Sequence, residues 1–173
     1  MISLFSINAF KYTVPDWEKN RDRILDLIPF NCEKWTTVEP HITYTDYFND
    51  DVQPYRKEFL ELVGPILSEF RNVANFKFNT VGQLWCQAYN KRDYHVPHDH
   101  GPLGYSAVFY AKMSEEHPST LFFSPFSDET GIKTYQSVPC TEGDLLIFPS
   151  HLMHMAPPHD SEDERIIISF NLI

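Results

Sequence analysis

Cysteine, glycine and basic residues are all scarce in this chain, and each shortage excludes something. Three cysteines, Cys32, Cys86 and Cys140, are widely spaced and odd in number, which argues against a disulfide framework or a zinc ribbon and fits a reducing compartment. Lysine and arginine number 14 against 24 acidic residues, a formal net charge of −10. That field repels polyanions, and the densest basic pair, Lys91-Arg92, reads as a solvated loop rather than a phosphate site, so no nucleic-acid partner is expected. No apolar run approaches the length of a bilayer span, and Met1-Ile2-Ser3-Leu4-Phe5 lacks the basic opening of a secretory signal. The expectation is a soluble, cytoplasmic protein with no membrane role. Heptads and exposed apolar stripes are missing too, which leaves the oligomeric state open.

What the chain has in quantity is aromatic: 14 Phe, 9 Tyr and 3 Trp beside 6 Gly, with 13 Pro as punctuation. That mixture points to a compact, sheet-rich domain rather than a repeat or disordered protein. The 173 residues fit one domain, large enough for a core without staples. Residues 1–74 read as a strand and two bracing helices. The first helix opens at Pro15-Asp16, turns Trp17, Ile24, Leu25 and Ile28 to one side and stops at Pro29. The second runs from Pro54, with Tyr55, Phe59, Leu62, Val63, Ile66, Leu67 and Phe70 at spacings of three and four; Pro65 is expected to kink or split it. The segment 31–51 between them is polar and aromatic and gives no clear assignment, except that Glu39-Pro40-His41 reads as loop.

From residue 75 onward strand signals dominate. Strands are expected over 75–79, 81–89, 105–112, 120–123, 134–138, 144–148, 152–156 and 164–172. Along 81–89, Val81, Gln83, Trp85, Gln87 and Tyr89 fall on one face, large and partly polar, and suited to lining a pocket. About eight strands with short turns predict a mostly β domain, a sandwich or barrel with its helices on one flank.

Seven of the eight histidines lie between residues 95 and 159. Side chains two apart on a strand share a face, so His98 and His100 can aim at one point while Asp99 turns away. A third ligand must come from a distant strand, and His154, at the end of Leu145-Leu146-Ile147-Phe148-Pro149-Ser150-His151-Leu152-Met153-His154, offers one. Three imidazoles suit a borderline divalent metal and leave coordination positions open. Asp99 replaces His100 as a ligand only if the strand bulges or ends there. His95, His117, His151 and His159 read as packed or surface residues. Arg165 opens the apolar strand Ile166-Ile167-Ile168-Ser169-Phe170-Asn171, and a cation in such a strand needs a partner.

Five features together carry a resemblance: His98-Asp99-His100; Ala107-Val108-Phe109-Tyr110; the block Glu142-Gly143-Asp144-Leu145-Leu146-Ile147-Phe148-Pro149-Ser150; His154; and Arg165 leading into Ser169-Phe170-Asn171. From Tyr89 to Asn171 the chain resembles the catalytic core of the iron(II)/2-oxoglutarate-dependent oxygenases, especially small phage and bacterial members and, more loosely, the prolyl hydroxylases. The resemblance implies a double-stranded β-helix, of jelly-roll or cupin-like form, over 75–173. It implies Fe(II), 2-oxoglutarate and O2 as the reaction's metal and cosubstrates. His98 and His154 would be iron ligands, Arg165 and Tyr110 would grip the distal carboxylate of 2-oxoglutarate, and Tyr89 would bond the same cosubstrate. Two departures stand out. His100 occupies the place of the usual carboxylate ligand, and Ile167 replaces a polar residue two positions after the arginine, so that contact is missing or comes from Ser169. Such a site would hydroxylate an unactivated C–H bond in a small molecule or peptide, with peptidyl proline one option. Trp85, Tyr94, Tyr105 and Met155 are candidates for its entrance. Two other readings compete: a three-histidine metal enzyme that does not use 2-oxoglutarate, and a non-catalytic β-helix binding or assembly module. Arg165 and Tyr110 lining the cavity beside the metal would favour a dicarboxylate.

Overall fold

The computed structural model describes residues 6–30, 41–49, 52–76 and 80–173. In chain order its elements are β1 (Phe10–Thr13), α1 (Trp17–Leu25), β2 (Tyr44–Thr45), α2 (Arg56–Val73), β3 (Val81–Tyr89), β4 (His95–His98), β5 (Tyr105–Lys112), β6 (Leu121–Ser127), β7 (Lys133–Ser137), β8 (Asp144–Pro149), β9 (His154–Ala156) and β10 (Arg165–Leu172). They form a six-stranded sheet, β1-β8-β5-β10-β3-β2, and a four-stranded sheet, β4-β9-β6-β7. Every pairing between them is antiparallel. From β3 onward the chain passes back and forth between the two sheets, which is the double-stranded β-helix expected of this chain.

The large sheet is covered on both faces, and the strand alternation shows how. Leu84, Cys86 and Ala88 of β3, Ile166, Ile168 and Phe170 of β10, and Phe109 of β5 pack in the layer beneath the helices. Trp17 of α1 meets Phe109 edge-on at 4.6 Å, and Phe59 of α2 contacts both Phe109 and Phe170. The opposite set, including Tyr89, Val108, Tyr110, Leu146, Phe148 and Ile167, packs between the two sheets. Both faces being apolar explains the near-continuous hydrophobic runs of β8 and β10, where alternation is hard to see.

Several boundaries differ from the sequence reading. Pro65 sits inside α2 without splitting it; the residue is exposed, so the carbonyl it leaves unpaired can face water. A short strand, β2, lies within the segment 31–51 that the sequence left unassigned; residues 31–40, 50 and 51, and with them Glu39 and Pro40 of the expected loop, lie outside the described ones. The strand expected over 75–79 is not formed where it is described: Ala74 and Asn75 make a turn, with Asn75 at φ 49, and residues 77–79 lie outside the described ones. Cys86 and Cys140 are both free and buried.

One buried tether joins three elements. Asp46, fully buried after β2, accepts the Tyr55 hydroxyl at 2.7 Å at the start of α2 and the Cys86 backbone N–H at 2.6 Å in β3. Burial pushes the Asp46 carboxyl up despite those bonds. Asp46→Ala strands two buried donors and is expected to cost about 2–5 kcal/mol of unfolding free energy, read by urea denaturation. Asp46→Asn, which keeps an acceptor, should lose less. An unchanged midpoint in the alanine variant would mean the tether carries no stability.

Candidate metal centre

The histidine site forms where β4 and β9 meet. His98 and His154 are directly opposite each other in that pairing, with ring centroids 4.4 Å apart. The ring of each is pinned by its own backbone: Nδ1–H of His98 donates to the Val96 carbonyl at 2.8 Å, and Nδ1–H of His154 donates to the Leu152 carbonyl at 2.8 Å. A carbonyl only accepts, so Nδ1 carries the hydrogen and Nε2 keeps its lone pair for a metal. His100 follows the end of β4, held through its backbone N–H to the Ser150 carbonyl. Its ring lies 5.1 Å from His98 and 5.2 Å from His154, and Trp85 packs against it at 5.5 Å. One ring nitrogen from each of the three lies within 4.8 Å of the others. Asp99 points elsewhere: it is exposed, and its carboxylate accepts the Gly101 N–H at 2.9 Å in a local turn.

His95 joins the same cluster, its ring tilted against His98 at 4.0 Å. A register shift between His95 and His98 lets two residues three apart turn to one side, which a regular strand forbids. Gln87 on β3 reaches His95 with its Nε2 and accepts the Tyr89 hydroxyl on its Oε1 at 3.0 Å. Burial, reinforced by neighbouring imidazoles, holds His95 and His154 down at about 3 and His100 at about 4. These three rings are therefore neutral at physiological pH, the form a metal needs.

The cavity beside the histidines measures about 20 Å³ and is lined on the large-sheet side by Trp85, Gln87, Tyr89, Ile167 and Ser169. That is room for about one water molecule, much less than a five-carbon dicarboxylate fills. Arg165 and Tyr110 do not line it. Arg165 is 2% exposed; its Nη1 and Nη2 donate to the carbonyls of Pro118 and Pro157 at 2.8 and 3.1 Å, and the Tyr89 ring covers its guanidinium at 4.6 Å. Its Nε has no hydrogen-bond partner among the described residues. Tyr110 bonds Thr120, donating its hydroxyl to the threonine Oγ1 at 2.9 Å and accepting the threonine N–H at 3.0 Å; Thr120, in turn, does line the cavity. Burial pushes the Tyr110 hydroxyl well up, so it stays a neutral donor.

Of the expected entrance residues, Trp85 and Met155 reach the cavity, and two do not. Tyr94 stacks on His41 at 4.4 Å beside a separate surface hollow. Tyr105 opens β5 on the helix side and packs against Phe10, Phe70 and Phe76. Tyr105 thus follows the alternation that also sends Ala107 and Phe109 to the helices. Ser169 lines the cavity but stands four residues from Arg165 on the same strand, about 13 Å at the usual rise. His117 and His159 form a buried pair 4.3 Å apart, away from the cavity, while His151 is exposed. His95, Gln87 and Thr120 are the site residues that sequence reasoning did not assign. Gln87 had a visible signal in its place between Trp85 and Tyr89, whereas His95 depended on a bulge that no residue announces.

The donor set fits iron. Three nitrogen donors, two already oriented through their second nitrogen, match a divalent metal with open positions, and a buried arginine with an unpaired Nε suits a carboxylate.

Comparison with known proteins points the same way. Three solved structures share the fold: a prolyl-4-hydroxylase from Pseudomonas putida (12% identity, TM-score 0.66, 96% of this chain and 92% of that one); HygX from Streptomyces hygroscopicus with nickel, 2-oxoglutarate and hygromycin B bound (16%, 0.65, 95% and 82%); and the viral collagen prolyl hydroxylase of Paramecium Bursaria Chlorella virus-1 in its 2OG complex (13%, 0.58, 94% and 93%). At such identities they establish the fold alone. No curated protein sequence matches the chain. The family model described as "Putative 2OG-Fe(II) oxygenase" matches residues 83–171, just over half of the chain. The chain therefore belongs to the 2OG-Fe(II) oxygenase family, enzymes that work with non-haem iron, 2-oxoglutarate and O2.

Proposed function

We propose that the chain is a hydroxylase in which His98, His100 and His154 hold iron, Arg165 and Tyr110 receive the distal carboxylate of 2-oxoglutarate, and Tyr89 contacts the same cosubstrate. The observation that carries this reading is the convergence of three imidazole nitrogens within 4.8 Å, two of them pre-aimed by the main-chain carbonyl two residues before them. Bound iron, with its cosubstrates, supplies the oxidising power to hydroxylate an unactivated C–H bond. The chain's own residues do the rest. The Val96 and Leu152 carbonyls fix the tautomers of two ligands. Phe148, edge-on to the His154 ring at 4.7 Å, and Phe122 behind it keep water from that side of the site. The Pro118 and Pro157 carbonyls hold the Arg165 cation in place and the Tyr89 ring lies over its face, which leaves the in-plane Nε–H for the carboxylate.

With three histidine ligands the site is one unit more positive than with two histidines and a carboxylate, which favours a dianionic cosubstrate. The substrate reading is a peptidyl residue, proline included, or a small molecule; two of the three similar structures are named as prolyl hydroxylases, and the third holds hygromycin B. Anaerobic addition of 2-oxoglutarate to the Fe(II)-loaded protein is expected to produce a weak visible charge-transfer band. Iron binding without such a band would instead favour a three-histidine enzyme that does not use 2-oxoglutarate.

A further inference from the structure

We infer that the part of the substrate seated at this site is an uncharged hydrogen-bonding group, such as an amide within a peptide, and that Ser169 is the side chain that receives it. The inference rests on the reading given under Proposed function and adds the chemistry of the substrate to it.

Charge is the first observation. Among the described residues, no Asp, Glu, Lys or Arg lines the cavity. The nearest buried cation, Arg165, lies behind Tyr89 with two nitrogens committed to carbonyls, and in the proposed complex it belongs to the cosubstrate. With the metal's two charges matched by the dianionic cosubstrate in the proposed complex, a further carboxylate or ammonium brought beside the histidines would lose its water and find no charged partner on the wall.

The second observation is a hydroxyl that no neighbouring side chain or backbone group engages. Ser169 is 5% exposed and faces the cavity, yet its hydroxyl makes no hydrogen bond among the described residues. Ser106, further along the same wall, is already committed: its hydroxyl donates to Asn171 Oδ1 at 3.0 Å and lies 3.0 Å from the Ser150 hydroxyl. The oxygen keeps access to the cavity, and a serine hydroxyl can both donate and accept, which matches an amide.

Position separates Ser169 from the cosubstrate. Across the β10–β3 pairing it stands opposite Trp85, which packs on His100, whereas Arg165 stands opposite Tyr89. At about 13 Å along the strand, one carboxylate cannot bridge Arg165 and Ser169. With the cosubstrate reaching from the metal toward Arg165, Ser169 remains for the substrate in the proposed complex.

The test uses protein loaded with Mn(II) and 2-oxoglutarate, with Zn(II)-loaded protein as the diamagnetic control. The probes are a pool of capped peptides, acetyl-Gly-X-Gly-amide with neutral X, and the same amino acids X as free zwitterions. Proton line-broadening of the capped peptides by Mn(II), with the zwitterions unaffected, is the expected result. Ser169→Ala should reduce that broadening about tenfold with Mn(II) affinity, read from the free-ion resonance, unchanged; Ser169→Thr, which retains a hydroxyl, should preserve more of it. Zwitterions broadened as strongly as capped peptides, no broadening of any capped peptide, or an alanine variant indistinguishable from the parent would each overturn the inference. Failure of the underlying reading is seen separately, as Fe(II) and 2-oxoglutarate giving no charge-transfer band.

Discussion

Replacing His154 with alanine is expected to weaken Fe(II) binding by more than about 100-fold, because it removes one of two ligands that need no reorganisation to bind. The His154 ring is buried, pinned through Nδ1 and neutral, so the metal pays neither a proton nor a rotamer for it. His100→Ala should also lose iron. Its ring has packing neighbours but no hydrogen bond to fix it among the described residues, so the loss should be smaller than at His154. Asp99→Ala should leave affinity near the parent's, since that carboxylate is occupied with Gly101 at the surface. Anaerobic Co(II) titration followed by its visible bands reads all three variants on one scale. Iron retained by His100→Ala but lost by Asp99→Ala would return the middle ligand to a carboxylate.

Arg165→Ala is the second large effect and has two parts. Removing a buried partner of a carboxylate costs about 2–5 kcal/mol in binding, so the 2-oxoglutarate concentration needed to develop the charge-transfer band should rise by about 100-fold or more. The fold itself should lose about 2–3 kcal/mol, because the Pro118 and Pro157 carbonyls are left without donors. Measuring the band at a temperature where the variant's circular dichroism shows it folded keeps the two parts distinct. A band that develops at the parent's 2-oxoglutarate concentration would place the cosubstrate somewhere other than at Arg165.

The large sheet was the most legible part of the fold. Trp85, Gln87 and Tyr89 alternate with Leu84, Cys86 and Ala88, and the structure sends one set to the cavity and the other to the helices. The same logic placed α1 and α2 by their apolar stripes. What stayed hidden depends on tertiary geometry. His95 is brought beside His98 by an irregular register, and a histidine three residues from a ligand is ambiguous on a regular strand. Tyr94 and Tyr105 look like entrance residues by type, but their backbone positions send them to His41 and to the helix-side core. The position of Arg165 at the head of an apolar strand marked it for burial, and it is buried; that two proline carbonyls and an aromatic ring would enclose it was not written in any local pattern.

The hold that Val96 has on His98, and Leu152 on His154, carries a corollary. Each aiming device is complete within three consecutive residues and uses only main-chain oxygen, which every amino acid supplies. Replacing Val96 or Leu152 by another residue that keeps the local backbone therefore leaves the aim of these two rings unchanged.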